Sequence, residues 1–298
     1  MTTGGDAVDQ TVHTTPLIRP QWGRALFLGA LGLTVASIIT MLVAAPDGVI
    51  ASSDSTAATP ALWTLLLPSA AGIVLTLLLP RHPEPLPAQA VDRGRLIVST
   101  LGLLGLLLVF TVGTGLVPWR NEDYILAKAV LLMALPGLLV LTVRRAVRIH
   151  RGSGAWRWWA PAVVVVVWFL LAELAPWNPI YDTGDVDPTF LIIAATATAL
   201  TASVGEELFF RRWLQTRLEA GLGVWAGIGV TSVLFGLMHL GSHGTGQIWL
   251  DVAQVIAVQG TFGWFVGVLW WRYRNLTMVI LVHLLSNGWG VLVHLARG

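Results

Sequence analysis

The sequence predicts an all-α fold, a polytopic transmembrane helical bundle of eight or nine spans. The chain has 298 residues, of which 55% are hydrophobic and only 11% charged, and its mean hydropathy is +0.73. That is far from the balance of a water-exposed domain. Apolar runs recur at about 25–45, 61–79, 96–117, 124–143, 158–175, 189–208, 223–240, 247–270 and 276–295. Most are near the roughly 20 residues that cross a hydrocarbon core as a helix. They lack strict alternation, which excludes a closed β-barrel, the other structure that satisfies every backbone group in lipid.

Residues 1–22 are polar and rich in Thr and are read as a tail without a packed core. The first apolar run is too long, and the segment before it too polar, for a cleaved signal, so it is read as a retained helix. Residues 23–188 form an N-terminal set of transmembrane helices and 189–298 a C-terminal set that carries the candidate chemistry. The proline-rich stretch RHPEPLPAQAVDRGR (81–95) is a stiff connection between spans. No segment is long and polar enough to stand as a soluble domain.

Basic residues cluster in alternate loops: Arg19 and Arg24, then Arg81, Arg93 and Arg95, then Arg144, Arg145, Arg148, Arg151 and Arg157. Asp47, Asp54, Asp182, Asp185 and Asp187 fall in the loops between. By the positive-inside rule the expectation is a multi-pass protein of the plasma membrane with a cytoplasmic N-terminus. Tryptophans near span ends, such as Trp119, Trp158, Trp177 and Trp271, fit the interfacial belt. The net charge of +2 is explained by topology and excludes nucleic acid as a partner, leaving membrane lipids and a peptide or lipidated protein substrate. With no cysteines, disulfides, thiolate ligands and thiol nucleophiles are all excluded.

Polar chemistry concentrates after residue 200. An ionised carboxylate at the centre of a membrane helix costs roughly 2.5 to 3.5 kcal/mol, and GEELFFRR (205–212) sets Glu206 and Glu207 side by side, with Arg211 four residues after Glu207. A surface i, i+4 pair would explain these three alone. Two further apolar helices change the balance: FGLMH places Phe235 and His239 on one helix face, and HLLSN does the same for His283 and Asn287. In an antiparallel hairpin turning near Gly221–Gly223, Glu206 lies about 16 residues before the tip and His239 about 17 after it. They share a height roughly 25 Å from the tip. The charges of RRWLQTRLE (211–219) are expected in cytosol or at the interface, and RYRN (272–275) turns the last two spans so that His283 and Asn287 reach the same layer. Such a set activates water: a carboxylate takes the proton, imidazoles orient water or bind a metal, and an amide or imidazole donates to an oxyanion.

The ordered trio E-E-x-x-x-R, F-x-x-x-H and H-x-x-x-N, over about residues 190–295, resembles the CPBP family of intramembrane proteases, which includes type II CAAX prenyl endopeptidases and bacteriocin self-immunity proteins. Gly263 and Gly267 stand where the family often shows small residues. The resemblance implies an endopeptidase acting on a membrane-associated substrate with a prenylated CAAX-like C-terminus. In that reading Glu206 activates a water that His239 positions, His283 and Asn287 stabilise the oxyanion, and Glu207 and Arg211 brace the site. It leaves open whether the water is bound to zinc, with Glu206, His239 and His283 as ligands, or is metal-independent.

Two other classes remain. A peptide-binding or bacteriocin-immunity protein would use the same pocket without cleavage. A proton or metal transporter would also employ paired acids and histidines, but the polar residues sit in one third of the chain and no inverted repeat is visible. Glu173, His243, Asp251 and His294 are set outside the catalytic set. Serine chemistry is disfavoured because Lys128, the only lysine, has no evident serine partner.

Overall fold

A computed structural model describes residues 17–50, 59–81, 85–116, 121–178, 186–242 and 247–297. His243 lies outside the described residues.

The fold is all-α and each apolar run becomes a helix. Among the described residues six are long and apolar enough to cross a membrane: α1 (Pro20–Ala44), α3 (Arg93–Leu116), α4 (Glu122–Thr142), α6 (Pro188–Leu222), α8 (Ile248–Tyr273) and α9 (Leu276–Ala296). Three are shorter apolar helices: α2 (Leu62–Leu78), α5 (Trp156–Ala172) and α7 (Val224–Leu237). The one paired-strand contact among the described residues is minimal: β1 (Gln89–Ala90) lies antiparallel to β2 (Val147–Arg148). α1 begins inside the segment read as a tail, because Pro20 at the first helical turn has no N–H to lose and its φ is already helical.

Loop contacts sort into two layers. In one, the Leu17 N–H donates to Gly221 O at 2.9 Å, and Arg95 Nη1 donates to Arg144 O at 2.9 Å. The β1–β2 pair and the bond from Asn275 Nδ2 to Arg157 O at 2.8 Å lie in the same layer. In the other, Trp63 meets Trp177 with ring centroids 5.4 Å apart, and Gly241 lies against Thr114 O. The loops rich in arginine thus share one end of the bundle with the α6–α7 and α8–α9 turns, as the alternation of charge requires.

α8 is the central post. In its most apolar window 78% of residues are buried, against 22–28% in the other five long helices. The outer helices bury one face and present the other to lipid. In α3, Leu96, Leu103, Leu107 and Phe110 point inward while Leu101 and Leu108 are exposed. Both faces are apolar because lipid is as apolar as the core. Small residues let α8 approach its neighbours: a Cβ at Gly263 would lie 3.1 Å from Ser232 Cα, and one at Gly267 would lie 3.1 Å from Gln215 Oε1.

One expectation is refined: the stretch 211–219 leads into the arginine-rich end, as its charges require, but is largely covered by protein. The charged stretch 211–219 is a continuation of α6 buried in protein, with Arg211 and Gln215 at 0% exposure, Glu219 at 2% and Arg217 at 6%. Several of its polar groups find protein partners. Arg274 Nη2 meets Glu219 Oε2 at 2.5 Å, and Gln215 Nε2 donates to Glu219 Oε1 at 2.8 Å and to Gly267 O at 2.9 Å. A water-exposed tip is the default for charges only when no partner is available.

Candidate active site

The site is built on α6. Residues Ala199–Gly205 and Leu208–Gln215 are wound as π-helix on either side of the two glutamates. In an α-helix, neighbouring side chains diverge by about 100°. π-turns add a residue per turn and are frequent at functional sites. Here Glu206 and Glu207 are both 0% exposed. The irregular winding is repaired locally: Thr216 Oγ1 donates to Arg211 O at 2.9 Å.

Glu207 bridges two elements. Its Oε2 accepts from Arg211 Nε at 3.0 Å, and its Oε1 accepts from His283 Nδ1 on α9 at 2.8 Å. The rest of the Arg211 guanidinium lies over aromatic faces, 5.0 Å from the Phe235 centroid and 5.9 Å from that of Phe210. Cation–π attraction suits a cation held out of water. Phe235 also packs against both imidazoles, its centroid 5.0 Å from His239 and 6.1 Å from His283.

Two further bonds fix the imidazoles and the amide. His239 Nδ1 lies 2.8 Å from Phe235 O. A carbonyl only accepts, so Nδ1 carries the proton, and Nε2 holds the lone pair in the neutral ring. Ser203 Oγ donates to His283 O at 3.2 Å and accepts from Asn287 Nδ2 at 3.2 Å, which ties two turns of α9 to α6. Asn287 is exposed, so the polar cluster reaches the bundle surface in the half of α9 remote from the Arg274 turn.

Glu206 has the least expected partner. Lys128 Nζ on α4 lies 2.5 Å from Glu206 Oε1 and 4.9 Å from the Tyr124 ring centroid. Glu206 also interacts electrostatically with His239 and His283. Its second oxygen, Oε2, is buried without a hydrogen-bond partner.

The structure therefore brings together Glu206, Glu207, Arg211, His239 and His283, and joins Asn287 to them through Ser203. Lys128, Ser203 and Phe235 are participants that motif spacing alone did not assign. For Lys128 a signal existed, because a single lysine inside an apolar run calls for a partner. Glu173, at the end of α5, and Asp251, in the first turn of α8, take no part in the bonds described above. The conditional zinc set does not fit these side chains. Among the described residues no three of the His, Asp or Glu type gather as metal ligands, and an ammonium already holds Glu206 Oε1.

Residues 188–289 match the family model described as type II CAAX prenyl endopeptidase Rce1-like. The match covers about a third of the chain, and what it supports is intramembrane proteolysis of the CAAX type as a general class of activity. It spans all six residues picked from the sequence and excludes Lys128. No curated protein and no solved structure matches the chain.

Proposed function

We propose that this protein is an intramembrane endopeptidase in which the buried, unbonded Oε2 of Glu206 is the general base for a hydrolytic water. That oxygen is the observation that carries the reading, since a buried acceptor without a donor is rare and asks for one. Water fills the need and gains a proton acceptor. Oε1, held by Lys128, keeps the carboxylate in place. Nε2 of neutral His239 accepts the second hydrogen of the water and orients its lone pair on the scissile carbonyl.

Attack gives a tetrahedral oxyanion. Asn287 donates one amide hydrogen to Ser203 and has a second for the oxyanion. His283 donates its Nδ1–H to Glu207, so its Nε2 donates as well only when the ring is protonated. The proton taken by Glu206 passes to the leaving amine, so one water and one peptide bond give a carboxylic acid and an amine. Glu207 and Arg211 act through His283 by orienting it. The substrate class most consistent with the match is a membrane-associated peptide with a lipidated CAAX-like C-terminus.

The test uses purified protein in detergent, a panel of farnesylated and unmodified CAAX peptides, and mass spectrometry. Cleavage by the wild type that falls at least about 100-fold in Glu206→Gln is expected for loss of a general base. A chelator is expected to leave the rate unchanged. Cleavage undiminished in Glu206→Gln would remove the proposed base. Peptide binding without cleavage by the folded wild type would assign the pocket to recognition alone.

A further inference from the structure

At the loop layer rich in arginine, a cleft of about 220 Å³ opens between the end of α4, the β2 segment and the C-terminal half of α6. Arg144, Arg145, Arg212 and Arg217 line it, and no described carboxylate does. Two buried arginines elsewhere are matched with acids, Arg211 with Glu207 and Arg274 with Glu219. Here, among the described residues, none of the four is paired with one.

The positive charge is concentrated as well as unmatched. Arg212 is repelled by Arg151 and Arg274, and Arg217 by Arg212. Arg217 is only 6% exposed, yet its Nε donates to Ser99 Oγ at 2.8 Å and its Nη1 to Trp213 O at 3.1 Å, both neutral acceptors. Arg145 is held in the left-handed region at φ 63°, a conformation that costs a non-glycine residue energy. Arg95 pins the adjoining carbonyl of Arg144. Topology explains basic loops at this end but not their convergence on a concave, partly buried site without a counter-charge.

We infer that this cleft binds an anionic phosphate group, and that its source is a phospholipid headgroup. Guanidinium forks match phosphate oxygens, and basic pockets between membrane helices hold anionic headgroups. The other wall, with Val143 and Trp213, is apolar, as the glycerol and first acyl carbons require. The site lies just beyond the end of α4, at the boundary where headgroups sit. This inference is independent of the proposed peptidase activity.

The experiment measures binding of short-chain phosphatidylglycerol, phosphatidylcholine and inorganic phosphate to the full chain in uncharged detergent, followed by melting temperature. Saturable stabilisation by phosphatidylglycerol and not by phosphatidylcholine is expected. In Arg145→Gln/Arg212→Gln the affinity is expected to fall about thirtyfold, from roughly fivefold per arginine. If the double variant does not fold, Arg145→Gln alone, at an exposed position, carries the test with a fivefold loss. Equal affinity in the variant, or equal stabilisation by phosphatidylcholine, overturns the site. Inorganic phosphate binding as tightly as phosphatidylglycerol, and losing affinity in the variant, keeps the phosphate site but overturns the lipid source. Stabilisation by a peptide with a free C-terminal carboxylate, and by no phosphate compound, overturns the phosphate assignment.

Discussion

Glu206 and Lys128 are each buried, at 0% and 6% exposure, and each depends on the other for its charge. Removing one partner of such a pair leaves an uncompensated buried ion, which costs about 3–5 kcal/mol, while replacing both with neutral groups is often harmless. Lys128→Met is therefore expected to lower stability by about that amount, and Lys128→Met/Glu206→Gln to recover most of it. Melting of the four proteins in detergent measures the coupling; additive losses would mean that the two groups do not interact. Cleavage is expected to fail in all three variants, each of which lacks a fixed, charged Glu206. At this scale the sequence was informative where residues lie four apart on a helix, as Glu207 with Arg211 and Phe235 with His239 do. For Lys128 it signalled the need for a partner but not which one, because nothing local connects a lysine on α4 to a glutamate 78 positions later. The role of Phe235 was equally hidden, since only packing lays Arg211 over its ring.

The hairpin of α6 and α7 turns on Gly223, whose φ of 93° and ψ of 160° lie in a region open essentially to glycine alone. A Cβ there would meet nothing within 4 Å, so substitution tests the backbone in isolation. Gly223→Ala is expected to cost about 1–3 kcal/mol, read from the melting temperature, with no change in packing. Gly227→Ala fails for the opposite reason: its Cβ would sit 2.6 Å from Glu219 N across the hairpin. Its loss is expected to exceed that of Gly223→Ala, because backbone cannot move aside as a side chain can. The turn was legible at Gly221–Gly223, and so was the shared height of Glu206 and His239. The π-winding around the glutamates was not, since a run of apolar residues reads as helix whatever its hydrogen-bond register. The burial of most of residues 211–219 was missed because their partners Ser99 and Arg274 come from α3 and the α8–α9 turn.

Across the whole molecule, sidedness follows from contacts among the loops, and charge gives the expected direction of insertion. The arginine-bearing loops, the α6–α7 turn and the α8–α9 turn are joined at one end by the bonds from Leu17 to Gly221 and from Asn275 to Arg157. Asp47 and Asp187 precede α2 and α6 at the other end. The chain has no cysteine, so each introduced cysteine reports on its own position without background. In intact cells a membrane-impermeant maleimide is expected to label Asp47→Cys and Asp187→Cys, and to label Arg24→Cys and Arg145→Cys only after permeabilisation. Leu101→Cys, on the exposed apolar face of α3, is expected to resist the reagent in both states because thiolate chemistry needs water. Labelling of Arg145→Cys from outside would invert the bundle. Labelling Asp47→Cys and Arg145→Cys from the same side would require a different number of crossings between them. The first outcome would leave the cluster around Glu206 intact and change only the side from which a substrate arrives, whereas the second would break the helix pairing that holds α4, α6 and α9 together around it.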